Sequence, residues 1–228
     1  MWASTLPVKG DSGDATVAPC RRLDMIRSLL FTLALSVCGA SAAQNSLEPC
    51  REAGDPYHSA VNRIIDKAVA KPARLQLTVF PSFETESGIR LVGSDVYFVE
   101  FQSSHWADSV VADGRGSYHM DFSKPKIVTK VHRASLNAGV ADRIQQVFTK
   151  AIVEARTPGE GGLDGVSYVF STLSGQCGSA WSPGPQTKNG RLVQLMERLA
   201  RHAGFTAPLD LARSEKSLAR LIKKIEAD

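Results

Sequence analysis

The sequence predicts an α+β fold in which a mainly antiparallel sheet of about four strands packs against three to four helices. Two hydrophobic patterns lead to this class: apolar residues spaced three and four apart, and apolar residues that alternate with polar ones. The strand-like segments cluster instead of alternating strictly with the helical ones, which favours antiparallel pairing over a doubly wound parallel sheet. We expect the order helix, two or three strands, strand, helix, strand, helix, helix.

The first half of the fold begins with a helix. Asp55 and Pro56 are residue types preferred at the N-cap and the first helical position. One apolar face follows before Pro72, formed by Tyr57, Val61, Ile64, Ile65, Ala68 and Val69. Alternation over 74–80 predicts a half-buried strand, and segments 89–92 and 96–101 predict two further strands, or one bent strand with a turn or bulge at 93–95. Segment 126–135 predicts a strand whose charged alternation indicates an exposed or edge position.

The second half predicts three helices and one strand. Residues 138–155 carry a single apolar stripe, and the glycines of 159–162 interrupt the pattern. Asp164 and Gly165 form a turn before a strand that contains Tyr168 and Phe170. The next helix ends near Gly204, and its apolar residues are Leu192, Leu195, Met196 and Leu199. Ser214 can cap a last helix with the apolar residues Leu218, Leu221, Ile222 and Ile225.

Composition excludes several classes of protein. The chain has 228 residues, of which 43% are hydrophobic, so it is not disordered, collagen-like or a coiled coil. Its 27 Lys and Arg residues nearly balance 23 Asp and Glu residues, giving a net charge of +4. Nucleic-acid binders usually have a marked basic excess, so we expect no nucleic-acid partner.

The N-terminal region has the pattern of an export signal. Arginines before and at the start of residues 25–42 are followed by a short apolar run and then by small residues. This pattern predicts a signal peptide that is cut between Ala42 and Ala43. The apolar run is too short for a membrane span. We therefore expect a single globular domain at 43–228 and a periplasmic or secreted location with no transmembrane span after processing. Residues 1–24 are expected to be an unstructured leader, or a gene-model artefact if the chain starts at Met25. A lipoprotein acylated at Cys38 is the alternative.

Two cysteines remain after the predicted cleavage. Cys50 and Cys177 would then lie in an oxidising compartment, where paired cysteines are more common than free ones. A disulfide between them is our prediction, and two unpaired thiols are the alternative.

No motif predicts a catalytic, cofactor or metal site. His105, Asp108, His119 and Asp121 fall in a long segment, 103–125, and could together form a hydrolytic or metal site. The histidine spacing does not match a metal-ligand pair, so we expect these side chains to lie at the surface or in structural hydrogen bonds. Alternate carboxylates in a turn are usually solvated, and we expect this of Glu84 and Glu86.

The polar side of the last helix is basic. Its cations are Arg213, Lys216, Arg220, Lys223 and Lys224. Such a stripe could meet anionic lipid or an acidic partner, although a solvated face is the usual role.

The C-terminal third carries a recognisable pattern. Asp164-Gly165-x-x-Tyr168-x-Phe170, Cys177-Gly178-x-x-Trp181-Ser182-Pro183 and Leu192-x-x-Leu195 resemble a pattern in small uncharacterised exported proteins of Proteobacteria. This resemblance implies export and bacterial origin and no particular reaction. In physical terms, the pattern predicts a turn before a strand, a loop in which Trp181 anchors on the core, and a helix over the sheet.

Three functions follow as hypotheses. The first is a non-enzymatic module that binds another protein or a component of the cell envelope. The second, a narrower form of the first, is an immunity or inhibitor protein against a toxic enzyme. The third is a hydrolase that uses the His and Asp residues of segment 103–125.

Overall fold

A computed structural model of the chain describes residues 45–50, 55–123, 126–156 and 164–227. The predicted leader, signal peptide, cleavage site at Ala42 and Ala43, Cys38 and the glycine interruption at 159–162 lie outside the described residues. The helices are α1 (Pro56–Val69), α2 (His105–Asp108), α3 (Ala138–Val153), α4 (Lys188–Ala203) and α5 (Pro208–Glu226). The strands are β1 (Glu48–Pro49), β2 (Leu75–Pro81), β3 (Ser87–Val92), β4 (Asp95–Phe101), β5 (Val110–Ala112), β6 (Tyr118–Met120), β7 (Thr129–Ser135), β8 (Val166–Thr172) and β9 (Cys177–Trp181).

The main sheet has seven strands in the order β1-β9-β8-β2-β3-β4-β7, and every pairing in it is antiparallel. The α+β class with a mainly antiparallel sheet is therefore confirmed. The expectation of about four strands was wrong, and five helices are described where three to four were predicted. A separate two-stranded sheet pairs β5 with β6.

The additional strands had weak signals in the sequence. β9 is rich in small residues, and at Gly178 an added Cβ would lie 3.0 Å from the Leu47 side chain. The same close approach brings β1 alongside, where Pro49 pairs with Gly178. β5 and β6 have three residues each, too few to establish an alternating pattern.

Helices cover both faces of the main sheet. On one face, α3, α4 and α5 bury their apolar stripes against Leu77, Ile89 and Phe170. On the other face, α1 packs against Phe80 and Val99. Since β2 lies between β8 and β3 and is buried on both faces, the prediction that it is half-buried was wrong.

The helix starts were only partly predicted. Asp55 caps α1, because its Oδ1 accepts a 2.8 Å hydrogen bond from the backbone N–H of Tyr57. The last helix begins at Pro208 and not at Ser214, which lies inside it. The buried residues of α5 begin only at Leu218, so its exposed first half has no apolar pattern that could predict it.

The prediction that segment 126–135 is exposed or at an edge is confirmed. Its strand, β7, begins at Thr129 and forms one edge of the main sheet, next to β4. The turn between β3 and β4 is also as predicted, and Gly93 has a φ of 59°, a conformation that favours glycine.

Cys50 and Cys177 form a disulfide, as predicted, with their Cα atoms 5.7 Å apart. The bond joins the residue that follows β1 to the first residue of β9. Among the described residues, no helix combines the length and the apolar character that a membrane span requires.

Candidate functional site

A cleft of about 630 Å³ opens between α4 and the β4–β7 end of the main sheet. We call it the edge cleft. Its lining combines apolar, acidic and basic side chains, namely Phe98, Glu100, Lys130, His132, Glu197, Ala200 and Arg201, together with Gly204.

The strand register places the sheet side of this cleft. Phe98 pairs with His132, and Glu100 pairs with Lys130. Because side chains alternate between the two faces of a sheet, these four point to the same face, the one that α4 covers. On α4, the lining residues recur at intervals of three and four, which is one face of a helix.

The centre of the edge cleft is a histidine–carboxylate pair. Nε2 of His132 lies 3.0 Å from Oε2 of Glu100. The imidazole also stacks over the ring of Phe98, with the centroids 6.0 Å apart. Both polar side chains keep partial exposure, 25% for His132 and 41% for Glu100, so the pair is open to a ligand from solvent.

In the part of the chain that the structure describes, no strand pairs with the outer side of β7, and the backbone groups on that side face away from the sheet. The backbone N–H of Gln102 donates to Val128, and that of Leu136 donates to Ser94. In an antiparallel ladder the bonded residues alternate, so the even-numbered positions of β7 bond to β4. Of the odd-numbered positions, Thr129, Val131 and Arg133 direct their N–H and C=O groups outwards, whereas the carbonyl oxygen of Ser135 lies 3.2 Å from Nε2 of His202.

A second polar cluster lies on the opposite face of the sheet, under α2. The carboxylate of Glu86 accepts hydrogen bonds from the Tyr57 hydroxyl at 2.7 Å and from the backbone N–H groups of His105 and Trp106 at 2.9 and 3.0 Å. Glu86 is 1% exposed, so the expectation that it is solvated was wrong, whereas Glu84 is exposed as expected. Three donors offset the cost of burying the carboxylate.

Burial shifts the pKa of two members of this cluster, Tyr57 and His105. Burial raises the pKa of the Tyr57 phenol, and the hydrogen bond to Glu86 raises it further, so Tyr57 remains a donor. Burial lowers the pKa of the His105 imidazole, although the carboxylates of Glu86 and Asp108 oppose the shift. Neither ring nitrogen of His105 has a hydrogen-bond partner in the described part of the chain.

The four residues considered for a hydrolytic site have different environments. His105 is buried, whereas Asp108 is exposed and accepts a 2.7 Å hydrogen bond from Ser103. His119 is exposed on β6, and Asp121 accepts hydrogen bonds from Ser123 at the end of that strand. In the part of the chain that the structure describes, no group of three or more His, Cys, Asp or Glu residues could hold a metal ion.

A fully buried arginine also went unpredicted. Arg90 on β3 is 0% exposed, and its guanidinium donates to Asp66 and Asn62 of α1 at 2.7 and 2.9 Å. Burial lowers the pKa of Arg90, and Asp66 counteracts the shift. This network joins α1 to the sheet, so its role is structural.

The C-terminal pattern serves the fold. Asp164 and Gly165 precede β8, and Trp181 ends β9. A Cβ added at Gly165 would lie 2.8 Å from the Trp181 ring, so the indole packs directly on this glycine. Tyr168 packs partly buried against the core, and Pro183 follows the turn at Ser182, whose φ is 34°.

The residues of the edge cleft were missed because they lie far apart in sequence. The alternation in 126–135 indicated an exposed strand, but only the register with β4 brings His132 to Glu100. The α4 residues Glu197 and Arg201 had no signal beyond lying on the polar side of a helix.

Comparison with models of protein families, with curated proteins and with solved structures finds no match to this chain.

Proposed function

We propose that this chain is an exported, non-enzymatic binding protein that takes an extended acidic segment of a partner protein along the outer edge of β7. The observation that carries the proposal is the edge strand itself. At three alternate positions, Thr129, Val131 and Arg133, it directs backbone groups outwards, and the edge cleft opens beside it at the β4–β7 end of the sheet.

Strand addition suits this arrangement. An extended segment that pairs with β7 lies about 4.8 Å from it and gains backbone hydrogen bonds at the odd-numbered positions. Alternate side chains of the added strand then project towards the face that holds the edge cleft. There His132 and Phe98 offer a polar and an aromatic contact.

Charge favours an acidic partner. Segment 126–135 contains three cations, Lys126, Lys130 and Arg133, and no carboxylate. In the edge cleft, Lys130 and Arg201 lie together with the carboxylates of Glu100 and Glu197, and Arg133 pairs with Asp95 at 2.6 Å. The preference for an acidic segment therefore rests on the excess of cations along the strand itself. Opposite charge on the partner increases the rate of association and suppresses pairing with basic segments.

Three observations support export. The Cys50–Cys177 disulfide suits an oxidising compartment. The signal-peptide pattern and the resemblance of the C-terminal third to exported proteobacterial proteins point to the same location. N-terminal sequencing of the protein recovered from the periplasm or medium tests this, and we expect Ala43 as the first residue. Recovery only from the cytoplasm with an uncleaved N-terminus contradicts export.

Two peptides test the edge-strand proposal. One alternates valine with glutamate, and its matched control alternates valine with lysine. We expect the glutamate peptide to bind residues 43–228 and to slow amide hydrogen exchange at Thr129, Val131 and Arg133. The lysine peptide should do neither.

A proline substitution tests the role of the backbone. Val131→Pro removes an outward N–H without touching the ladder to β4, and edge strands tolerate proline at such positions. Val131→Thr keeps the N–H and is the matched control. We expect only the proline variant to lose its binding of the glutamate peptide. Equal binding by both variants contradicts the proposal, as does a protein dimer that occupies β7 and excludes the peptide.

A further inference from the structure

The charged groups that line the edge cleft offset one another. Two cations, Lys130 and Arg201, share the lining with two carboxylates, Glu100 and Glu197. The carboxylate of Glu100 also lies 3.0 Å from Nε2 of His132. A charged ligand would meet groups of its own sign as well as of the opposite sign, so the edge cleft suits an uncharged occupant.

The remaining lining is apolar or bare backbone. Phe98 and Ala200 line the edge cleft and pack, partly buried, against the core. Gly204, at the end of α4, has a φ of −83°, which any residue can adopt, and a Cβ added there would lie 3.5 Å from the backbone oxygen of Arg201, an ordinary van der Waals distance. Neither backbone conformation nor packing requires glycine here. Its missing side chain leaves space in the edge cleft.

A strand added to β7 brings its side chains to this space. The outward-bonding positions of β7 are odd-numbered, so Lys130 and His132 lie at non-hydrogen-bonded positions of an antiparallel addition. Side chains at such positions approach one another most closely. A residue of the added strand opposite His132 therefore projects on the α4 side and reaches the edge cleft.

An aromatic side chain matches these walls. The imidazole of His132 already stacks on the ring of Phe98, with the centroids 6.0 Å apart, and a third ring extends the stack. The guanidinium of Arg201 attracts the face of a ring. Tryptophan also carries an N–H that a carboxylate can accept, and Glu100 is 41% exposed. The volume of about 630 Å³ leaves room for the largest side chain.

We infer that the edge cleft binds a tryptophan side chain of the added segment, and that this residue determines which acidic segments pair with β7. The inference rests on the proposed function, because the tryptophan reaches the edge cleft from a strand paired with β7. Main-chain hydrogen bonds supply affinity in strand addition, whereas pockets for alternate side chains supply specificity. The partner is thus recognised by an extended acidic segment with one tryptophan on the side that faces α4.

Calorimetric titration of the purified protein with three peptides tests the inference. The parent peptide alternates valine with glutamate, and the other two replace its central valine with tryptophan or with leucine. We expect the tryptophan peptide to bind about tenfold more tightly than the parent, and the leucine peptide at most about threefold more tightly. The proton resonances of Gly204 should show ring-current shifts with the tryptophan peptide and not with the leucine peptide.

Two substitutions at Gly204 locate the tryptophan. Gly204→Phe fills the edge cleft with a ring of its own, whereas Gly204→Ala, the matched control, also replaces the glycine but adds only a methyl group. We expect Gly204→Phe to bind the tryptophan peptide no more tightly than the parent, and Gly204→Ala to keep the tenfold difference. Both variants should bind the parent as wild type does, with unchanged circular dichroism.

Failure of the inference is distinguishable from failure of the proposed function. If the parent binds and tryptophan adds no more affinity than leucine does, the inference is overturned and edge pairing stands. A tenfold difference that survives in Gly204→Phe also overturns it, since the ring then lies elsewhere. If Gly204→Phe does not fold, the ring-current shifts in wild type decide, and their absence overturns the inference. If no peptide binds, the inference and the proposed function both fail.

Discussion

The hydroxyl of Tyr57 donates a 2.7 Å hydrogen bond to the carboxylate of Glu86, joining the first turn of α1 to the residue that precedes β3. The same carboxylate accepts from the backbone of α2. One buried acid therefore fixes a long helix, a strand and a short helix relative to one another.

Removing the hydroxyl should destabilise this junction. Tyr57→Phe leaves the buried carboxylate with one donor fewer, and we expect the free energy of unfolding to fall by about 2 kcal/mol. Urea denaturation measures the change. Tyr118→Phe is the control, because Tyr118 is 73% exposed, and an equal effect of both variants argues against the role of the Tyr57 hydroxyl.

His105 should make stability depend on pH. The folded state lowers the pKa of its imidazole below the ordinary 6.5, so the unfolded chain binds the proton first as the pH falls. The free energy of unfolding should therefore decrease as the pH drops below about 6.5, and His105 should have no effect well above that value. The carboxylates of Glu86 and Asp108 limit the size of the decrease.

Comparison with His105→Phe isolates this contribution, since the variant cannot take up the proton. Denaturation between pH 5 and 8 should give a difference between wild type and variant that changes with pH. His119→Gln, at an exposed position, should show the wild-type dependence. A constant difference for His105→Phe across the range contradicts the prediction.

The disulfide should contribute strongly to stability. Cys50 and Cys177 are separated by 127 residues, and closing so long a loop in the unfolded chain corresponds to at most about 5 kcal/mol. We expect the double variant Cys50→Ser, Cys177→Ser to unfold at clearly lower urea concentration. Intact mass after alkylation is the check on the bond itself: two labelled thiols without reductant would show that it does not form.

Arg90 should be sensitive to substitution in a way that surface arginines are not. Arg90→Met leaves Asn62 and Asp66 without their guanidinium partner, and we expect a loss of about 3 kcal/mol. Arg143→Met breaks an ion pair with Glu226 that is partly exposed on both sides, so its cost should stay below about 1 kcal/mol. Thermal denaturation compares the two, and similar losses contradict the prediction.

How far the sequence predicts this fold depends on how local each signal is. The apolar stripe of α3 and the Asp55 cap of α1 are set by neighbouring residues, and both were predicted. β9 was not predicted, because its small residues carry no apolar pattern of their own. They form a strand through contact with β8 and Leu47, which are distant in sequence or set by the fold. Likewise, nothing in the sequence around Glu86 and Arg90 distinguishes them from exposed polar residues. Their burial follows from partners that only the tertiary structure brings close.

The candidate sites follow the same rule. The sequence indicated the exposed position of β7 and the cations of α5, since each is a property of one segment. It could not indicate that Glu100 meets His132 or that Arg198 faces α5, because these depend on register and helix packing.

The two edges of the main sheet differ in how much backbone they present. At one end the two-residue β1 pairs with β9, and the Cys50–Cys177 bond fastens the chain there covalently. At the other end, β7 has seven residues, and no described strand lies outside it. Growth by edge-to-edge addition needs an acceptor at both ends of each subunit. Because β1 has only two residues and very short edge strands are poor templates for pairing, we expect any pairing of two copies through β7 to stop at a dimer.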